Sequence, residues 1–258
     1  MKALITGASS GIGLEMARIL GNMGYDLILV ARRKERLEEL KESLKVDVQI
    51  IPLDLCSTFN CMKLYNKVKK TKIDIVINNA GFGLFGEFTE TKLERELDMI
   101  DLNIKAVHTL TKLFLKEFMV ENKGYILNVA SSAAYFSGPL MASYYATKSY
   151  VLHLTEALQE EVKQSGKNVY IGCLCPGPVD TEFNKVAGVK FALKSLSKEY
   201  VAKYAIDKML KGKKIIIPGF KIKAIIFFSR FVPRSFTTHI NYYNQQKKGK
   251  HDWVLGYY

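Results

Sequence analysis

Tyr144 and Lys148 stand four residues apart. On a helix that spacing puts a phenol and an ammonium on one face, one turn from each other. The pair has a chemical use: a free tyrosine keeps its proton up to a pH of about 10, whereas a neighbouring cation favours the phenolate and brings proton exchange toward neutrality. Ser131, thirteen residues upstream of Tyr144, carries a hydroxyl that could bond a substrate oxygen and hold it against the phenol. Tyr145 is the rival phenol and Ser132 the rival hydroxyl, but only positions 144 and 148 share a helical face. An amphipathic helix with one packed tyrosine and one solvated lysine would give the same spacing, so the rest of the chain must decide.

The elements that have to position these groups are legible from periodicity. Residues 142–163 read as the helix that carries Tyr144 and Lys148, and the apolar run 124–129 before Ser131 reads as a strand. At the start of the chain a strand over residues 2–6 ends at Gly7, and Ile12, Met16, Ile19, Leu20 and Met23 then recur at helical spacing. A strand, a glycine-rich turn and a helix in succession form a dinucleotide fingerprint. Gly7 permits the tight turn, Gly11 and Gly13 let backbone and helix approach a pyrophosphate, and the helix N-terminus offers free amides. The next strand, 26–31, ends in Ala31-Arg32-Arg33 with no carboxylate to bind a ribose 2′-hydroxyl. A guanidinium there suits a 2′-phosphate, so NADP(H) is expected, with Arg32 the first candidate and Arg33 the second. The alternative is that both arginines simply open a charged helix running through Glu35, Arg36, Glu38 and Glu39. Further strands are expected at 48–52, 73–77, 169–174 and 214–217, making seven, and one long helical pattern at 89–120. Asp54, after the third strand, stands where it could cap the helix that follows.

With Asn128-Val129-Ala130-Ser131 before Tyr144 and Lys148, the chain resembles the short-chain dehydrogenase/reductase family. The resemblance extends to Thr6-Gly7-Ala8-Ser9-Ser10-Gly11-Ile12-Gly13, Asn78-Asn79-Ala80-Gly81, Asn103 and Pro176-Gly177-Pro178-Val179-Asp180-Thr181, in the family's order, across residues 2–219. It implies a Rossmann-type doubly wound α/β domain with a seven-stranded, mainly parallel sheet and helices on both faces. It also implies an enzyme that interconverts a carbonyl and an alcohol by hydride transfer, with Ser131, Tyr144, Lys148 and Asn103 as the catalytic set and Asn103 bending its helix. Cofactor contacts are implied at Gly7, Ser9, Ser10, Gly11, Ile12 and Gly13, at Asp54 and Leu55, at Asn79, Ala80 and Gly81, at Tyr144 and Lys148, and at Pro176, Gly177, Val179 and Thr181. A substrate lid over about 182–210 and a homodimer or homotetramer assembled through the 89–120 helix are further implications.

The remaining numbers narrow the field. A length of 258 residues, 48% hydrophobic, fits one α/β domain, here 1–219 with 220–258 as an extension of it. The net charge of +13 points to anionic small molecules or lipid surfaces, because no zinc-finger spacing or RNA-binding signature supports nucleic acid. Cys56, Cys61, Cys173 and Cys175 form no ligand group, so reduced thiols and no metal are expected. No signal-peptide pattern and no apolar run of about 18 residues occurs, and a cytoplasmic protein is expected. Residues 220–258 hold seven Lys/Arg against one acid, +6 of the +13, mixed with Ile222, Ile225, Ile226, Phe227, Phe228 and Phe231. Two readings of this tail stand: an amphipathic segment lying on a membrane surface, or a face that closes the substrate pocket or packs on another subunit. The first would suit a 3-oxoacyl or lipid ketone reductase. A protein that binds NADP without turnover is the remaining alternative, and the four intact catalytic positions weigh against it.

Overall fold

The computed structural model describes residues 1–183, 187 and 195–249. Seven strands, β1 Lys2–Thr6, β2 Asp26–Ala31, β3 Val48–Pro52, β4 Ile75–Asn78, β5 Tyr125–Val129, β6 Tyr170–Leu174 and β9 Ile215–Ile216, form a sheet in the order β3-β2-β1-β4-β5-β6-β9. Every pairing is parallel. These strands are near-continuous apolar runs because helices cover both faces, and successive side chains serve opposite layers. In β1, Ala3 and Ile5 pack in one core with α1 (Gly11–Asn22) and α7 (Lys198–Leu210), whereas Leu4 packs in the other with α3 (Thr58–Val68) and α5 (Val107–Glu121). The chain runs outward from β1 through β2 to β3, then returns to place β4 on the other side of β1. That reversal opens a crevice at the carboxyl ends of β1 and β4, where such sheets bind ligands.

A buried polar lattice ties the middle of the sheet to the helices behind it. Asn78 Nδ2 donates to Asn128 Oδ1 at 2.9 Å and to Thr111 Oγ1 at 3.1 Å, and Asn128 Nδ2 donates to Thr155 Oγ1 at 3.0 Å. The lattice joins β4 and β5 to α5 and to α6 (Ala142–Gln164), and so fixes the helix that carries Tyr144 and Lys148. Four such groups buried without partners would each cost about 1–3 kcal/mol, so the cross-links hold the register of these elements as a unit.

The helical pattern at 89–120 is α4 (Leu93–Ile100), a π-helical turn Asp101–Ala106 and α5 in unbroken succession. Ser197 caps α7 by accepting from Tyr200 N, as helix-initiating serines do. Of the expected lid, residues 184–186 and 188–194 lie outside the described residues; on either side of them β7 Val179–Asp180 pairs with β8 Leu196–Ser197. The tail forms two helices, α8 Phe220–Ser229 and α9 Arg234–Gly249. Contrary to the amphipathic expectation, α8 has apolar residues on every side: Ile222 wedges against Gly177, Ile226 is buried, and Phe220 points to solvent.

Candidate active site

The carboxyl ends of β1, β4, β5 and β6 open on a cavity of about 910 Å³. Of the expected catalytic and cofactor-contact residues, all but Gly13 and Asn103 line it. Those two act from behind the wall.

At the glycine-rich end, Gly7 and Gly11 adopt φ of +68° and +57°, a region L side chains avoid. Gly13 is required for room: a Cβ there would stand 2.6 Å from Gly7 O and collide with the Asn79 amide. Asn79 stitches the loop to the end of β4. Its Nδ2 donates to Thr6 O at 3.0 Å and Gly7 O at 3.3 Å, while Thr6 Oγ1 accepts from Asn79 N and Ala80 N, both at 3.0 Å. Ser10 precedes α1 with extended backbone and no side-chain cap, so the first-turn amides of α1 remain available to an anion.

The two arginines separate. Arg32 turns to Asp54, at 3.8 Å, with most of its side chain in solvent. Arg33 lies over the loop and donates to Ser9 Oγ at 3.2 Å and Ser10 Oγ at 2.9 Å. Its other nitrogen donates to Glu182 Oε2 at 2.8 Å, and Arg36 bonds the second oxygen of the same carboxylate. Those two guanidinium contacts, Arg36 first, hold Glu182 down at about 2, so it is an anion at any physiological pH. Asp54 does not cap α3, which begins after Ser57; its Oδ1 instead accepts from Cys56 N at 3.0 Å, an Asx turn. Thr181 comes close to Gly11, bringing the start of the lid against the glycine loop.

At the other end Tyr144 is buried, its ring 5.3 Å from that of Phe183 and 6.1 Å from that of Tyr145. Burial pushes the phenol up, the hydrogen bond with Ser131 opposes this in part, and Tyr145 adds to the rise. Lys148, also buried, donates from Nζ to Val129 O at 3.0 Å and lies 5.9 Å from the centroid of the Tyr144 ring. Burial lowers it to about 8. The expectation that Lys148 makes Tyr144 more acidic is therefore corrected: with both groups desolvated, loss of water outweighs their mutual influence, and the ammonium is spent on a backbone carbonyl. Ser131 is held by a bond from Ala133 N to its Oγ at 3.1 Å, at the head of a 3₁₀ turn, Ser132–Tyr135.

Asn103 sits in the π turn, wholly buried. Its Oδ1 accepts from Phe82 N at 3.1 Å, and its Nδ2 donates to Phe82 O at 2.9 Å and Thr147 Oγ1 at 3.1 Å. The helix bulges where the asparagine clamps the strand-end loop against α6. Gly81 lies between: a Cβ on it would meet Asn103 Oδ1 at 2.8 Å and Lys148 Nζ at 3.3 Å.

Thr6 stood at the head of the glycine motif without a role assigned to it, and two further contributors had no sequence signal. Glu182 is one acid at a loop start. Gln245, in the tail, is 1% exposed and donates from Nε2 to Tyr145 OH at 2.8 Å. Phe136, Met141, Phe183, Ile222 and Ile226 complete an apolar lining around Tyr144.

A family profile described as short chain dehydrogenase matches residues 1–191. An uncharacterized oxidoreductase of Staphylococcus epidermidis is 33% identical over 181 residues, which is 69% of this chain and 78% of that protein. The very-long-chain 3-oxoacyl-CoA reductase of Pyrenophora tritici-repentis is 33% identical over 196 residues, 71% of this chain and 56% of the longer relative. Among solved structures, a short-chain dehydrogenase from Sphingobium yanoikuyae in complex with NADPH superposes with a TM-score of 0.81 at 29% identity, covering 91% of this chain and 94% of that one. A profile match over most of the length, carried by this fold, means that the chain belongs to the short-chain dehydrogenase/reductase family, oxidoreductases that work with a nicotinamide cofactor.

Proposed function

We propose that the protein is an NADP(H)-dependent reductase of an apolar ketone or related carbonyl, working in the direction of the alcohol. The observation that carries the reading is one continuous cavity. Its one end is the amide-rich glycine loop under Arg33, and its other holds Tyr144 and Ser131 together inside an apolar wall.

The cradle suits a dinucleotide. Positive φ at Gly7 and Gly11 and the space kept by Gly13 leave room for a pyrophosphate at the start of α1. Preference for the 2′-phosphate rests on the end of β2, which offers no carboxylate, and on the anion already seated there: Glu182 occupies the place between Arg33 and Arg36 that a phosphate would take over. The cofactor, when bound, would supply the hydride from its nicotinamide. The residues of this chain do the rest. Ser131 orients the substrate oxygen through its hydroxyl, and Tyr144 delivers the proton to that oxygen. A phenol whose acidity burial suppresses stays protonated at neutral pH, which is the form that reduction needs. Lys148 keeps a cation under the site, and Asn103 holds α6 and the Gly81 loop at fixed distance. Phe183, Met141, Ile222 and Ile226 exclude water and favour a large apolar substrate.

Replacement of Tyr144 by Phe should lower turnover by about 10²–10⁴-fold while NADPH binding stays within about twofold. Unchanged turnover would remove the phenol from the reaction. Arg33→Ala should weaken NADPH far more than NADH in a fluorescence titration, and equal loss of both would refute its phosphate role.

A further inference from the structure

A helix that is apolar all round is ordinarily covered all round. Only half of α8 is. Ile222 and Ile226 belong to the cavity wall, whereas Phe220, Phe227 and, just beyond the helix, Phe231 are 84%, 53% and 75% exposed. Phe227, Phe228 and Phe231 form one surface, Phe227 packing against the other two with centroids at 5.4 and 5.7 Å. Phe228, together with Ile225, Phe236 and Ile240, is exposed and also lines the cavity. The cavity therefore opens through this aromatic surface rather than beside it. A contiguous apolar patch of this kind marks an interaction site.

The surrounding charge selects the partner. From residue 220 to residue 246 the sequence has Lys221, Lys223, Arg230 and Arg234 and no acid. A second copy meeting this face two-fold would set like charges against each other. An anionic bilayer supplies the opposite charge and takes up the aromatic rings at its interface. No helix among the described residues is long and apolar enough to cross a membrane, so the contact is peripheral.

We propose that α8 and the start of α9 dock on an anionic lipid bilayer, and that the carbonyl substrate passes from the lipid into the cavity between Phe228 and Phe236. Entry of substrate rests on the reductase reading above; docking does not.

Full-length protein is co-sedimented with vesicles of phosphatidylcholine alone and with about a third phosphatidylserine. Binding should favour the anionic vesicles and fall by about tenfold or more in high salt. Two variants, Phe227→Asp with Phe231→Asp and Arg230→Glu with Arg234→Glu, should each lose about tenfold or more of that binding. Both should still reduce a short water-soluble ketone at the wild-type rate, which certifies their folding. No binding, or equal binding to the two vesicle types, overturns the proposal. So does a wild-type dimer that the Phe227/Phe231 variant dissolves in the absence of vesicle binding, since the second copy would then own the face. A long-chain ketone dissolved in anionic vesicles should turn over faster with wild type than with either variant, and equal rates overturn the entry route. Loss of the Tyr144 dependence would instead strike the reaction and leave the vesicle result standing.

Discussion

Lys148 carries a cost that fixes how the enzyme should respond to pH. Burial brings its ammonium to about 8 from the ordinary 10.5, which takes about 3 kcal/mol from the folded state at neutral pH. Because the unfolded chain then binds more protons than the folded one between about 8 and 10.5, this group makes stability rise with pH across that window. Below about 8 the cost is present in full. Lys148→Met should flatten the rise in melting temperature between those pH values relative to wild type, and lower turnover by about 10²-fold or more. A variant with the wild-type pH slope would mean that the lysine is solvated. At this scale the sequence was informative about residue types and weak about directions. Tyr144 and Lys148 were identifiable because a spacing of four puts them on one helical face, and Ser131 through the motif order shared with the short-chain dehydrogenase/reductase family. Arg32 and Arg33 were not separable, since consecutive residues at a strand end diverge and the choice depends on Ser9, Ser10 and Glu182, which approach from other segments. The direction of the Tyr144 shift was misread because adjacency of a cation is visible in a sequence and completeness of burial is not.

Elements were legible where one period dominated. The six longer strands of the sheet appear where their apolar runs stood, within about two residues at each end, because covering on both faces demands continuous hydrophobicity. The π turn was not foreseeable as such: its residues continue the helical pattern of α4 and α5, and the extra residue is accommodated by the bonds of Asn103 to Phe82 and Thr147. The glycine loop and α1 illustrate why an element can be both motif and packing unit. Gly13 has ordinary backbone torsions, so its requirement is steric, and Gly13→Ala should push a methyl group against Gly7 O and the Asn79 amide. Because backbone cannot retreat as a flexible side chain can, the substitution should destabilise by about 1–3 kcal/mol in denaturant unfolding and weaken cofactor binding further. Gly166→Ala, where a Cβ would meet nothing within 4 Å, separates the two causes: its strain comes from φ of +68° alone, and cofactor binding should remain intact.

For the whole molecule the decisive feature is that the chain returns at its end to close the cavity that its beginning opened. Two polar ties hold α9 there. Asn241 Nδ2 donates to Ser137 O at 3.0 Å, and Gln245 Nε2 donates to Tyr145 OH at 2.8 Å, bonds that span about a hundred residues. One lands on Ser137, between Ser131 and Tyr144, and the other on Tyr145, next to Tyr144, so the roof of the substrate end is fastened to both sides of the proposed proton donor. Few buried apolar contacts back these ties, because only Gln245 among the described α9 side chains is fully buried, and an element so held should open locally before the sheet does. Replacing Asn241 by Ala and Gln245 by Leu should therefore raise amide hydrogen exchange across 234–246 while leaving β1, β4 and β5 protected. A loosened roof costs contacts with the far end of a long substrate and none with a short one. The double variant should accordingly raise KM for a bulky apolar ketone by about tenfold. For a small ketone, kcat and KM should stay near wild type, and NADPH binding should not change. Equal losses for both ketones would mean that α9 serves the fold as a whole rather than the substrate end, and unchanged exchange would mean that the apolar contacts of α8 hold the roof without these two bonds.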